Sequence, residues 1–301
     1  MKDPFLLHMF NPTKNVSPFD VNMAYEAEYD GVIPYGDVSL DDIHALTQDT
    51  IFSRSPTGVK RTSIFIGGRS FGLAIDMLNR AKAAMVPPFE ISVFADPSGA
   101  ITTAAAMIAC VERCVKNKTG DSLEGKSMHI IGGTGPVGVC AGIIAANCGA
   151  DVYLLSSRGI DVAQEFAEEN NGKFNVDMSG GDGSSNKALG EMIQGADIVI
   201  GSAKAGMQVL SKAQLEGAEK LIVAADANAV PPLGIEGIDV HDMGKELDFT
   251  PGKALGIGAL AMGNIKYKVH YRMFEMMKET DKPLYLDHEE AFKVAREYAA
   301  E

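Results

Sequence analysis

Cysteine and histidine are both scarce in this chain, and neither is arranged for chemistry. The four cysteines show no CxxC spacing. Cys110 and Cys114 stand one helical turn apart, and Cys140 and Cys148 lie on either side of a predicted helix. Without a matching histidine pair they read as buried, reduced thiols, which excludes a disulfide framework. The six histidines are scattered and include no HExxH, so no metal site is expected. Positive charge is also in deficit. A net charge of −13 argues against nucleic acid and anionic membrane as partners, and an anionic ligand would need a locally basic pocket. Long apolar runs are missing too. MKDPFLLHMF is too short for a signal peptide and no run approaches a membrane span, so the expected compartment is the cytoplasm.

Glycine, by contrast, is abundant. Many of the 32 glycines fall where strands would meet helices, as α/β turns require. A chain of 301 residues, 46% hydrophobic, is long for one core and comfortable for two domains. FLLHMF (5–10) predicts a strand. Ser17-Pro18-Phe19-Asp20 then reads as an N-cap, a proline at the first helical position and an acid in the first turn. Ser39-Leu40-Asp41-Asp42 repeats that start signal. TSIFIGG (62–68) and FEISVFAD (89–96) are strands, with a helix between them to about Met85 and another over 102–115. The alternation predicts a small parallel sheet.

The polar stretch 116–126 is the expected domain boundary. It leaves a substrate domain over 1–119, completed by C-terminal helices within 265–301, and a nucleotide domain over 120–264. In the latter, SMHIIG, DVYLLSS, 197–201 and 220–225 read as strands, with helices after the first and over 184–194. SGGDGSS (179–185) reads as a solvated loop. No long-period repeat is present.

Gly133-Thr134-Gly135-Pro136-Val137-Gly138 forms a G-x-G-x-x-G between a predicted strand and a predicted helix, with a second strand at the expected distance. In that context Gly133 permits the tight turn and Gly135 lets the backbone approach a pyrophosphate. Gly138 lets the helix pack on the strand, and Pro136 suits the first helical position. Amides at the helix start, with its dipole, would bind phosphate.

At the end of the second strand NAD-binding proteins usually carry an acid for the ribose hydroxyls. Here stand Ser156, Ser157 and Arg158, with Asp161 already in the next helix. An acid would repel a 2′-phosphate, whereas Arg158 attracts one and the serines can donate to it. NADP is therefore the expected cofactor, with NAD still possible.

The motifs SPFDVNMAY (17–25), YGDVS (35–39), FIGG (65–68), TTAAA (102–106), GGTGPVG (132–138), ADANAVPPLGI (225–235) and ALGIG (254–258), in this order, resemble the NAD(P)-dependent methylene-tetrahydromethanopterin dehydrogenases of one-carbon metabolism. That resemblance implies a Rossmann-type dinucleotide-binding domain plus a smaller α/β domain, with a cleft between them. It implies hydride transfer from a methylene-pterin to the nicotinamide, leaving a methenyl cation, and a homo-oligomer. The two nitrogens flanking the methylene carbon stabilise that cation, so no strong base or protein nucleophile is required. Positioning of two rings and exclusion of water remain as the protein's task.

By the same resemblance, Asp20, Thr102, Thr103 and Lys266 fall on the pterin side, with Asp20 and Lys266 nearest the chemistry. Asp20 could instead only complement a helix start, and either threonine could only cap one. Ala203, Lys204 and Ala205 in GSAKAG would pass beside the nicotinamide. Asp226 and Asn228 in DANAVPP, with Gly256, Ile257 and Gly258 in ALGIG, complete the cofactor side. The ALAMGN insert leaves Lys268 as an alternative to Lys266. At helical spacing Lys266 shares a face with His270, and Lys268 with Arg272.

Two rival readings remain. A folate-type methylene dehydrogenase/cyclohydrolase would carry Tyr-x-x-x-Lys, but YEAEY (25–29) has tyrosine in the lysine's place. A nucleotide-sensing protein would bind NADP without turnover.

Overall fold

The computed structural model describes residues 3–301. In chain order the first elements are β1 (Leu6–Phe10), α1 (Pro18–Glu26), β2 (Gly31–Tyr35), α2 (Asp42–Phe52), α3 (Pro56–Val59), β3 (Thr62–Ile66), α4 (Phe71–Ala84), β4 (Ser92–Ala95) and α5 (Ala100–Thr119). There follow β5 (Ser127–Ile131), α6 (Pro136–Asn147), β6 (Asp151–Ser156), α7 (Ile160–Phe174), β7 (Met178–Asp182), α8 (Asn186–Ile193), β8 (Ile198–Gly201), α9 (Lys212–Leu215) and β9 (Val223–Asp226). The chain ends with β10 (Met243–Glu246), β11 (Leu255–Ile257), α10 (Ala259–Glu279), β12 (Tyr285–Leu286) and α11 (His288–Ala300).

Two compact units result. One runs to Thr102 and takes in Tyr267–Val294; the other comprises Thr103–Lys266 and Ala295–Glu301. The divisions fall inside α5 and α10, not in the polar stretch 116–126, because α5 continues unbroken to Thr119. Polarity there marks the end of a helix. The expectation that no apolar run is long enough to span a membrane also needs correcting. Residues 97–119 pass by length and composition, with a mean hydropathy of 1.3 over 18 residues, but 78% of that window is buried inside the protein.

The first unit is built on a parallel sheet in the order β12-β4-β3-β1-β2. Its strands β3 and β4 are buried at every position, which is why they read as continuous apolar runs rather than alternating ones. Helix α4 presents Phe71, Ala74, Ile75, Leu78 and Ala81 as one buried stripe, and the Ser70 hydroxyl caps it by accepting from the Leu73 amide at 3.3 Å. Ser17 stands at the start of α1 ahead of Pro18, but its side chain makes no cap bond. Ser39 and Asp42 bind one another reciprocally before α2, with the Ser39 hydroxyl donating to Asp42 at 2.6 Å. Phe65, Phe94 and Phe274 form the centre of the core, their ring centroids 5.4–5.5 Å apart.

The second unit carries a seven-stranded sheet ordered β10-β11-β9-β8-β5-β6-β7, parallel except for β10. The strand order reverses direction between β5 and β8, as in doubly wound nucleotide-binding sheets, and ligands bind at such switch points. Residues 179–182, expected within a solvated loop over 179–185, belong to β7. A Cβ on Gly180 would stand 2.2 Å from the Gln164 amide nitrogen, and one on Gly181 2.2 Å from a Leu155 methyl. The glycines of SGGDG admit α7 and β6 at close range, which makes a strand of a sequence that has loop composition. Cys110 and Cys114 are buried in α5; Cys140 lies within α6 rather than beside it, and Cys148 just after it.

Candidate functional site

The glycine loop joins β5 to α6. Gly132 adopts φ 77°, so the tight turn belongs to this residue and not to Gly133 as the motif suggested. Gly133 instead touches the neighbouring strand, for a Cβ there would lie 2.7 Å from Leu154 Cα. Gly138 permits close packing of α6, since its Cβ would meet Gly133 Cα at 2.7 Å. Gly135 is the residue before the first turn, and a Cβ on it would meet only the Gly132 carbonyl, at 3.2 Å. Pro136 occupies the first helical position, and the amides of Val137 and Gly138 begin the helix without intrahelical carbonyls to bind. Thr134 and Gly135 face a cavity of about 380 Å³. A bare backbone and a helix N-terminus facing a cavity are what a pyrophosphate requires.

At the carboxyl end of β6 the chain turns at once. Ser156 is buried, its Oγ accepting from the Arg158 amide at 3.1 Å, and its carbonyl accepts from Gly159 and Gly183. Ser157 and Arg158 are exposed. Ser156 and Ser157 line the same cavity as the glycine loop; Arg158 does not line it and stands beyond the turn. No carboxylate ends β6. The sequence reading missed the cavity's third wall, Gly183, Ser184, Ser185 and Asn186, where β7 leads into α8. Its signal was hidden in the stretch read as loop.

The loop after β8 brings Ala203 and Lys204 to the cavity, with Met207 and Gln208. A Cβ on Gly132 would lie 2.9 Å from Ala203 Cα, so the two loops pack backbone to backbone. Ser202 fixes the junction by donating from Oγ to the Ile131 carbonyl at 3.0 Å. Ala205 is outside the lining.

Asp226 and Asn228 are buried and spend their side chains on backbone groups of neighbouring loops. Asp226 accepts from the amides of Asn228 and Ile235, both at 3.0 Å. Burial raises the Asp226 carboxyl, while those amides oppose the shift. Asn228 Oδ1 accepts from the amides of Gly206 (3.1 Å) and Val230 (2.9 Å), and Nδ2 donates to the Pro232 carbonyl (2.9 Å). Asn228 thereby ties the loop after β9 to the loop after β8. Gly256 and Gly258 are close-packing positions in and after β11: a Cβ on Gly258 would lie 2.0 Å from the Asp239 carbonyl oxygen, and one on Gly256 2.9 Å from Leu247. Ile257 is wholly buried.

In the first unit Asp20 is buried in the opening turn of α1. Thr102 is buried and donates through Oγ1 to Asp96 Oδ2 at 2.6 Å; Thr103, next along α5, is half-buried. On α10, Lys266 is half-buried and Lys268 exposed, while His270 is wholly buried. Its Nδ1 lies 2.9 Å from Asp96 Oδ2. The sequence reading placed His270 only on the face of Lys266 and Asp96 only at the end of a strand, and named neither as a site residue; 174 positions separate them, and no local pattern joins them.

A family model described as methylene-tetrahydromethanopterin dehydrogenase, N-terminal, matches residues 18–98. The NAD(P)-dependent methylenetetrahydromethanopterin dehydrogenase of Methylorubrum extorquens is 46% identical over 98% of both chains. A second protein of that organism, named bifunctional protein MdtA, is 33% identical over 98% of this chain and 99% of its own. Among solved structures, the NAD-dependent malic enzyme of Thermotoga maritima has a TM-score of 0.56 at 12% identity, covering 97% of this chain and 84% of its own, a likeness of fold alone. Near-full-length identity at this level places the chain in the methylene-tetrahydromethanopterin dehydrogenase family.

Proposed function

We propose that this protein oxidises methylene-tetrahydromethanopterin with NADP, and less well with NAD, giving the methenyl derivative. One observation carries the reading: the glycine-loop cavity, with no acid at the end of β6, occurs in a chain 46% identical to a protein bearing that activity in its name. The bound nicotinamide supplies the hydride acceptor. The chain's own residues bind, orient and exclude water. Gly133 to Gly138 and the start of α6 hold the pyrophosphate, and Ser156, Ser157 and Arg158 take the 2′-phosphate. Ala203, Lys204 and Ala205 pass the nicotinamide, with Asn228 tying that loop to the one after β9, Asp226 shaping the latter, and Gly256 to Gly258 completing the cofactor side.

On the pterin side, Asp20, Thr103 and Lys266 orient the ring, and Thr102 acts through Asp96. An ammonium aimed at the methylene carbon would oppose the cation forming there. Lys266 therefore donates to a pterin carbonyl or ring edge away from that carbon. No proton need be moved by the protein in the hydride step.

The test is turnover of methylene-tetrahydromethanopterin and methylene-tetrahydrofolate, each with NADP and NAD. Turnover of the first with NADP is expected. Turnover of the folate alone would replace the substrate class, and NADP binding without turnover of either would overturn the dehydrogenase reading.

A further inference from the structure

A carboxylate in the first unit is committed more fully than anything the hydride step itself requires. Asp96 follows β4 and is wholly buried. Its Oδ1 accepts from the amides of Ile101 (2.8 Å) and Thr102 (3.2 Å), which caps α5. Its Oδ2 takes the Thr102 hydroxyl at 2.6 Å and His270 Nδ1 at 2.9 Å. The imidazole is boxed by aromatic rings, with centroids of Phe274 at 5.0 Å, Phe94 at 5.4 Å, Phe19 at 5.5 Å and Phe65 at 5.9 Å.

Burying a carboxylate and an imidazole among phenylalanines is costly compared with filling the space with apolar side chains. What the polar arrangement provides is direction. Apolar contacts allow a helix to turn about its axis by small amounts, whereas the Nδ1–Oδ2 bond fixes the azimuth of α10 at His270. Lys266 lies one turn earlier on that helix. Thr102 and Thr103 lie in the first turn of α5, which the same carboxylate caps. A single side chain thus sets the angle of two of the three helices that carry the pterin-side candidates; Asp20, on α1, lies outside its reach.

We infer that Asp96 is the positioning residue of the pterin site, acting through His270 on α10 and through Thr102 on α5. The inference rests on the function proposed above. It concerns orientation, so substrate turnover should be sensitive to the bond itself and not to the quality of core packing.

The experiment compares His270→Asn with His270→Phe in the full chain. Asparagine places an amide N–H near the position of Nδ1 but leaves part of the aromatic box empty. Phenylalanine fills the box and removes the donor. Expected are His270→Asn within about 5-fold of the parent in kcat/KM for methylene-tetrahydromethanopterin, despite a lowered Tm, and His270→Phe down about 10²-fold with a higher Tm than His270→Asn, the scale of lost orientation. NADP Kd, measured by direct titration, should stay within 2-fold in both. Activity that follows Tm, or a loss of NADP binding in step with turnover, would overturn the proposal and leave a packing role. If His270→Phe does not fold, Thr102→Val removes a single hydroxyl; about a 10-fold loss of kcat/KM at unchanged NADP Kd is expected, and none would overturn the proposal. A parent protein inactive on any methylene-pterin would instead reject the function, and this inference with it.

Discussion

Ser156, the last residue of β6, pairs in register with Asp182, the last residue of β7. The acid missing from the end of the second strand therefore stands one strand further out. The Ser184 side chain and amide hold the Asp182 carboxyl below its usual range, so it is ionised at neutral pH. On the proposed function, the two charges act oppositely on a 2′-phosphate, Arg158 favouring it and Asp182 disfavouring it. Two charges about 10 Å apart in a water-like medium interact by only ~0.4 kcal/mol. Asp182→Asn should accordingly tighten NADP by about 2-fold and leave NAD unchanged. Titration of both cofactors at low salt is the measurement, and equal changes for the two would remove Asp182 from the argument.

Arg158 is exposed beyond the turn that Ser156 closes, and on the proposed function its guanidinium meets the 2′-phosphate. A charge-assisted contact is worth about 1.5–3 kcal/mol. Arg158→Ala should weaken NADP by roughly 10- to 100-fold and spare NAD. Matching losses in the two cofactors would show that Arg158 does not read the phosphate.

Lys266 and Lys268 differ in exposure, and only Lys266 lies on the face that His270 carries inward. Lys266→Met should cut kcat/KM by about 10²-fold with NADP affinity unchanged, while Lys268→Met stays mild. A larger loss at Lys268 would reverse the assignment.

Hydrolysis of the methenyl product needs a placed proton-transfer residue. The position where a folate-type enzyme would have its lysine is Tyr29, which is buried and donates its hydroxyl to Ser63 Oγ at 3.3 Å. Burial drives the Tyr29 phenol far above its usual range, so it offers no base. Methenyl-tetrahydromethanopterin should decay at its spontaneous rate in the presence of the protein. Decay that scales with protein concentration would contradict this.

The elements whose composition matches their environment were legible in the sequence. TSIFI and SVFA announce buried parallel strands, and GGTGPVG announces a glycine turn from a strand into a helix. What escaped was governed by approach rather than by composition. SGGDG forms an edge strand because its glycines leave room for α7 and β6. The turn glycine is Gly132 because Gly133 must pass Leu154. Asp226 and Asn228, plausible cofactor ligands by motif, bind backbone groups of their own loop and, for Asn228, of the loop after β8. The Asp96–His270 pair joins residues 174 positions apart, so no spacing rule could find it.

Two glycines separate these effects in a stability measurement. Gly180→Ala forces a Cβ against the Gln164 backbone and should cost about 1–3 kcal/mol or more. Gly172 lies within α7 with open space around it, so Gly172→Ala should stabilise by about 0.5–1 kcal/mol. Denaturant midpoints for the two variants should move in opposite directions; a shared direction would refute the close-approach account of β7.

Burial pushes the Cys110 thiol up to about 12 and raises those of Cys114 and Cys148 as well. Thiolate is the form that alkylating reagents attack. While α5 stays packed, Cys110 and Cys114 are therefore nearly invisible to such reagents at neutral pH. Their labelling rate becomes a clock for the opening of that helix, carried by the protein without any added probe.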